Sequence, residues 1–186
     1  EVKNKELVES GYSAKPTITI LTGNKEVVMP EDYAGEYEEG ITKNKQRHRR
    51  IWKRVQTHID KDRLPLVILC RYRNHVKQLL RYMPKEIGDS FRVSWVDGSL
   101  KNREQILQDF RDGKIDILLS TMIIKRGKNL PLIRALLNVA GGDSHATVLQ
   151  IFGRALRLIK GVKEEVHMDD FFDMGAYLKR HSKHRV

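Results

Sequence analysis

The sequence predicts an α/β fold, a doubly wound and mostly parallel sheet of about five strands with flanking helices, and two observations carry that prediction. From Leu64 onward short apolar runs alternate with segments of helical periodicity, the rhythm of βαβ units. Runs such as PLVILC (65–70) and IDILLS (115–120) are apolar nearly throughout instead of alternating, as expected of parallel strands covered on both faces. The predicted order is strand 66–70, helix 73–83, strand 91–96, helix 100–111 and strand 115–120. Strand 134–139, helix 144–158, strand 164–171 and helix 175–183 follow. Such sheets place ligands beyond the carboxyl ends of their strands, so the residues just after 70, 96, 120 and 140 are the candidates for a site.

The first 62 residues differ in character. Gly11, Pro16, Gly23 and Pro30 punctuate them, and an acidic patch (Glu31, Asp32, Glu36, Glu38, Glu39) precedes a basic stretch from Lys43 to Arg54. This segment reads as an arm and not as core. Within it Ile51, Val55 and Ile59 recur at helical spacing beside Trp52, which predicts an amphipathic helix over 41–60 that docks by its apolar stripe. The expected division is an arm with a docking helix over 1–62 and one domain over 63–186.

Lys and Arg number 35 against 24 Asp and Glu, giving a formal net charge of +11, which favours a polyanionic partner. No apolar run approaches the roughly 18 to 20 residues of a spanning helix, so a membrane is not expected as partner. No leader is apparent at the start, and the single cysteine, Cys70, lies inside an apolar run, which predicts a buried thiol, no internal disulfide and an intracellular location in cytoplasm or nucleus. Among the seven histidines only His181 and His184 have a helical spacing that could share a metal, without a Cys or carboxylate at a recognisable distance. They read as a solvated tail, and no metal site is predicted.

Three segments have residue types suited to phosphate chemistry. In QIFGRALR (150–157), Gln150, Arg154 and Arg157 fall at about 0°, 40° and 340° on a helix, within one narrow fan. Ile151, Phe152, Ala155, Leu156 and Ile159 take the opposite arc, so two guanidiniums project together from an anchored helix; an ordinary solvated face has the same spacing. Gly98 and Ser99 lie between a strand and a helix, where Ser99 can cap the helix and leave backbone N–H groups for an anion, or simply start it. Ser120 and Thr121 close a strand with small hydroxyls, and Lys125, Arg126 and Lys128 surround Gly127, either a phosphate-gripping loop or a basic surface loop.

Taken in order, these segments resemble the second RecA-like lobe of superfamily 2 helicases. Gln150, Gly153, Arg154 and Arg157 match that family's motif VI, STMIIKRGKNLP (120–131) resembles motif V, VILCRYR (67–73) motif IV, and VDGSLKNRE (96–104) stands in the place of motif IVa. The likeness covers 64–158, and the flanks ELVESGYSAKP and DDFFDMGAYLKRHSKHR extend it toward the branch containing XPB, RecG and the phage protein UvsW, which mostly remodels DNA. The resemblance implies that Gln150, Arg154 and Arg157 serve catalysis at the γ-phosphate, and that Gly127 and Asn129 lie at the nucleotide. Asn129 stands where many relatives have an acid for the ribose. The resemblance also implies that Arg71, Gly98, Ser99, Ser120, Thr121 and Lys125 grip nucleic acid, with DNA expected and RNA the alternative. No G-x-x-x-x-G-K-[ST] loop and no D-E-x-H box occur in the chain. ATP and Mg²⁺ are therefore expected to be held mainly by an N-terminal RecA-like lobe, none being bound by this chain alone, and the isolated chain is expected not to hydrolyse ATP. A non-catalytic RecA-like nucleic-acid-binding module is the alternative reading.

Overall fold

A four-residue run such as LVIL can be buried at every position only inside a sheet covered on both sides, and that is where it lies. The computed structural model describes residues 13–22, 30–125, 133–142, 153 and 165–185. Among them are β1 (Lys15–Thr22), β2 (Leu66–Leu69), β3 (Val93–Val96), β4 (Ile117–Ser120), β5 (Ala135–Asn138) and β6 (Glu165–Phe172). They form one sheet in the order β1-β6-β5-β2-β4-β3, every pair parallel.

The expected rhythm is present, and the sheet gains a sixth strand. That strand, β1, comes from the segment read as an arm and pairs with β6 from Lys15↔Glu165 to Thr22↔Phe172. Its alternating Thr and Ile suit a pleated edge, and Pro16 near its start is tolerated at an edge. The edge leaves Ile18 57% and Ile20 39% exposed.

The helices are α1 (Tyr33–Tyr37), α2 (Lys45–Asp60), α3 (Arg73–Arg81), α4 (Lys85–Ser90), α5 (Arg103–Arg111) and α6 (Ala176–Arg185). The docking helix begins four residues later than predicted because residues Glu38–Thr42 form a π-helical turn continuing α1, and Asn44 caps α2 by accepting from the Arg47 N–H at 2.9 Å. The predicted helix 73–83 stops at Arg81, and α4 starts behind Pro84, which lacks the N–H an uninterrupted helix requires. The predicted helix 144–158 lies outside the described residues. No helix among the described residues is long and apolar enough to cross a membrane.

Side-chain alternation along β2 divides the core. Leu66, Ile68 and Cys70 face Ile51, Trp52 and Val55 of α2 and Val76 and Leu79 of α3; Val67 and Leu69 face the other way, toward Leu107 and Phe110 of α5. The apolar stripe on α2 is thus core, as predicted, and Trp52 Nε1 ties α2 to α3 by donating to the Leu79 carbonyl at 2.8 Å. Burial pushes the Cys70 thiol up to about 12.

Ion pairs fasten α2 to the far side of the sheet. Asp169 on β6 is fully buried and accepts from Arg54 through both oxygens, while His58 Nε2 lies 2.8 Å from its Oδ2. Burial pushes its carboxyl up, but these two partners outweigh burial and hold it below the ordinary range. Arg47 forms a second buried fork onto Asp173, at 2.7 and 3.0 Å.

Two expectations are corrected here. Glu36, read as part of an acidic patch on an arm outside the core, is 1% exposed and accepts from the N–H groups of Ala176, Tyr177 and Leu178, capping α6. His181, read with His184 as a solvated tail, lies half-buried with its ring 5.0 Å from that of Tyr33, because α6 packs through Leu178 and Ser182; His184 is exposed. No group of three His, Cys, Asp or Glu that could hold a metal occurs among the described residues.

Candidate nucleic-acid interface

β2, β4 and β3 are neighbours and parallel, so the residues that follow them emerge along one edge. Arg71, Thr121 and Gly98 come together there, lining a cavity of about 540 Å³ whose far wall is Arg103 and Leu107 of α5. Three of the residues predicted from separate segments thus share one site.

Arg71 is half-buried, and its Nη1 donates to the Tyr33 hydroxyl at 2.7 Å. Its guanidinium carbon lies 5.8, 5.8 and 5.3 Å from the ring centres of Tyr33, Tyr37 and Tyr72, within cation–π range. No carboxylate pairs with it among the described residues. On the other side Gly142, at φ +94°, leaves space where a Cβ would come within 2.5 Å of Nη1. Sequence reasoning missed this surround. Its one local signal was the pair Tyr33 and Tyr37, four apart and so on one helix face.

Thr121 receives β3 through its backbone, whose N–H donates to the Val96 carbonyl at 3.1 Å. Its hydroxyl has no hydrogen bond to a described residue and lines the cavity. At Gly98 an added Cβ would meet Ile123 only at 3.5 Å, an ordinary contact; the glycine leaves bare backbone at the wall, and its carbonyl accepts from Arg103 Nη1 at 3.1 Å. Glu104, 3.6 Å from Arg103, is the one acid lining the cavity among the described residues and is half exposed, so solvent screens its opposition to an anion.

Ser120 and Ser99 do not act as predicted. Ser120 is fully buried and its hydroxyl donates to the Thr121 carbonyl at 2.7 Å, so it supports the turn from within. Ser99 neither caps α5 nor presents a free N–H. Its N–H and hydroxyl both donate to Asp97 Oδ1 at 2.7 Å, and α5 starts only at Arg103, behind Asn102. Arg73 holds the other Asp97 oxygen at 2.5 Å. Burial pushes the Asp97 carboxyl up, but Ser99 and Arg73 together bring it below its ordinary range, so an ionised anchor fixes this loop. Lys125 ends the 3₁₀ turn Met122–Lys125. Gly127, Asn129, Gln150, Arg154 and Arg157 lie outside the described residues, where Gly153 alone of its segment is described, helical and exposed.

Residues 46–159 match the family described as "Helicase conserved C-terminal domain". The chain is 23% identical over 181 residues to the putative mitochondrial ATP-dependent helicase irc3 of Schizosaccharomyces pombe, a match that covers 96% of this chain and 29% of that protein. Among solved structures it is similar to Dbp5 of S. cerevisiae bound to RNA and ADP BeF3, with a TM-score of 0.59 at 16% identity over 100% of this chain and 40% of that one. It is also similar to T4 UvsW, with a TM-score of 0.66 at 17% identity over 92% and 38%. At these identities the likeness to both structures is one of fold. The chain spans less than a third of the length of the irc3 relative.

Proposed function

The chain belongs to the family of helicase conserved C-terminal domains, as the second RecA-like lobe of a superfamily 2 helicase, and from that premise we propose that it is the C-terminal motor lobe of an ATP-dependent helicase or translocase acting on DNA. The observation that carries this reading is the meeting of Arg71 and Thr121 at one cavity beyond the carboxyl ends of β2 and β4, with a guanidinium that no described carboxylate neutralises and a hydroxyl that bonds to no described residue. Those groups suit a phosphodiester. Arg71 supplies charge and a fork of donors, Thr121 a rotatable donor, and Gly98 a wall of bare backbone against which a sugar-phosphate can lie. Such contacts hold a strand without reading its bases.

The nucleotide is assigned to the remaining candidate residues. Gln150, Arg154 and Arg157 reach the γ-phosphate in trans, and Gly127 and Asn129 border the nucleotide. ATP and Mg²⁺ would supply the phosphoryl-transfer chemistry from a partner lobe that holds them. No Mg²⁺ site is assigned to this chain, whose sequence lacks the phosphate loop. Opening and closing of the two lobes would then move the strand past Arg71 and Thr121. The buried Cys70 suits an intracellular, reducing compartment. DNA is favoured over RNA by the flanks of the sequence, whose likeness is to DNA-remodelling helicases. The rival reading is a RecA-like binding module without catalysis.

The test uses the full-length protein that carries this chain. Arg71→Ala and Thr121→Val should each weaken binding to a single-stranded DNA in the absence of nucleotide. Arg71→Ala should also reduce the slope of log affinity against log salt by about 0.7, one phosphate contact on a single strand. Unchanged affinity and slope in both variants would remove the cavity from the nucleic-acid track. Absence of ATP turnover in the full-length protein, with DNA or RNA, would favour the binding-module reading.

A further inference from the structure

We propose that Tyr33 is a positioning residue for Arg71 and that the terminal helix α6 holds Tyr33 in place; the proposal rests on Arg71 being a phosphate contact. Two arginines packed against the sheet are neutralised where they are held: Arg47 by Asp173, Arg54 by Asp169. Arg71 is held differently. A phenol oxygen accepts from Nη1 at 2.7 Å, and three tyrosine rings within 5.8 Å surround the guanidinium. Aromatic faces and a neutral hydroxyl compensate a desolvated cation without cancelling its charge. A carboxylate in the same place would orient Arg71 equally well and would also neutralise the field that an incoming phosphate meets.

Tyr33 is itself fixed from behind. Its ring meets His181 at 5.0 Å and Tyr177 at 6.2 Å in edge contacts, both on α6, and Tyr37 one turn further along at 6.1 Å. The start of α6 is locked by the Glu36 carboxylate on the N–H groups of Ala176, Tyr177 and Leu178. A chain of contacts therefore runs from α6 through Tyr33 to the Arg71 guanidinium at the cavity. Tyr37 differs from Tyr33 in one way that matters: its hydroxyl donates to the Ala140 carbonyl at 2.7 Å and does not touch Arg71.

The experiment measures binding of an oligothymidylate to the full-length protein without nucleotide, across a salt series, for Tyr33→Phe, Arg71→Ala, the double variant and Tyr37→Phe. Tyr33→Phe keeps the ring and removes the hydroxyl that accepts from Arg71, so affinity should fall by about threefold to tenfold, as for loss of a hydrogen bond to a charged group that keeps its other contacts, with the salt slope intact because the charge remains. In the Arg71→Ala background the same change should be silent. Tyr37→Phe, which keeps the ring 5.8 Å from the guanidinium and removes the hydroxyl bonded to the Ala140 carbonyl, should lower stability and leave affinity near that of the parent. A loss from Tyr33→Phe that is equal in both backgrounds, no loss in either, or a matching loss from Tyr37→Phe overturns the positioning role. If Arg71→Ala itself changes neither affinity nor slope, the phosphate-contact reading beneath the proposal is what fails.

Discussion

Acid should destabilise this domain well above the range where carboxylates titrate, because two histidines are buried beneath α2 and α3. His48 and His75 are both fully buried, their rings stacked with centres 5.7 Å apart, and His48 also lies 5.3 Å from the ring of Tyr82. Burial, with the Arg47 charge beside it, pulls His48 down to about 4; burial, Arg47 and His48 pull His75 well below its ordinary value. A histidine depressed in the folded state binds its proton more readily when unfolded. Its stabilising effect is therefore complete above the unfolded value of about 6.5 and is lost as pH falls toward the folded value. Between pH 7 and pH 5 each group that stays neutral in the fold costs about 2 kcal/mol, so the pair costs about 4 kcal/mol, a large share of the roughly 5 to 15 kcal/mol of a typical domain. Urea unfolding at half-unit pH steps measures this directly. His75→Leu, close in volume and apolar, should flatten the stability profile between pH 6 and pH 5 by about 1.4 kcal/mol per pH unit. A variant whose profile keeps the slope of the parent protein would refute the reasoning.

Three other outcomes are expected. Glu36→Ala leaves three N–H groups of α6 without their acceptor and should cost about 3 kcal/mol in urea unfolding; a change within about 0.5 kcal/mol would show that water replaces the carboxylate. Cys70, its thiol pushed up to about 12 by complete burial, should resist a thiol-specific disulfide reagent in the folded protein and react only on unfolding; rapid native-state labelling would contradict that burial. In the full-length protein Arg154→Ala or Arg157→Ala should lower ATP turnover by about 10³ to 10⁵, the range of arginine fingers, and normal turnover with lost DNA affinity would assign those arginines to nucleic-acid binding instead.

How much of this was legible in the sequence depended on whether the deciding contacts were local. β2 and β4 could be read because strands covered on both faces are apolar at nearly every position, and α2 because its stripe repeats every turn. β1 escaped because its edge position permits Thr, exposed Ile and a proline, the same composition as a connecting arm. The strand ends do gather Arg71, Gly98 and Thr121 at one cavity, as their positions after three neighbouring parallel strands predict. The individual roles were less legible. Ser99 looked like a helix cap because it follows a strand, yet Asp97 two residues before it already signalled a side-chain turn that occupies its N–H. Tyr33 and Gly142 are far from Arg71 along the chain, and only the fold brings them to it.

The pairing of β1 with β6 determines how the domain meets mechanical load. The segment that leads into β1 enters at Lys15, beside Glu165, and the two strands then run parallel for eight residues. A pull on that segment acts along the strand axis, so the hydrogen bonds of the ladder are strained together in shear. Had β1 entered across the end of the sheet, the same pull would open them one after another like a zipper. The weakest-looking edge of the sheet, with its exposed isoleucines, is thereby the tether best oriented to transmit force into the core through β6, where Asp169 is clamped by Arg54 and His58.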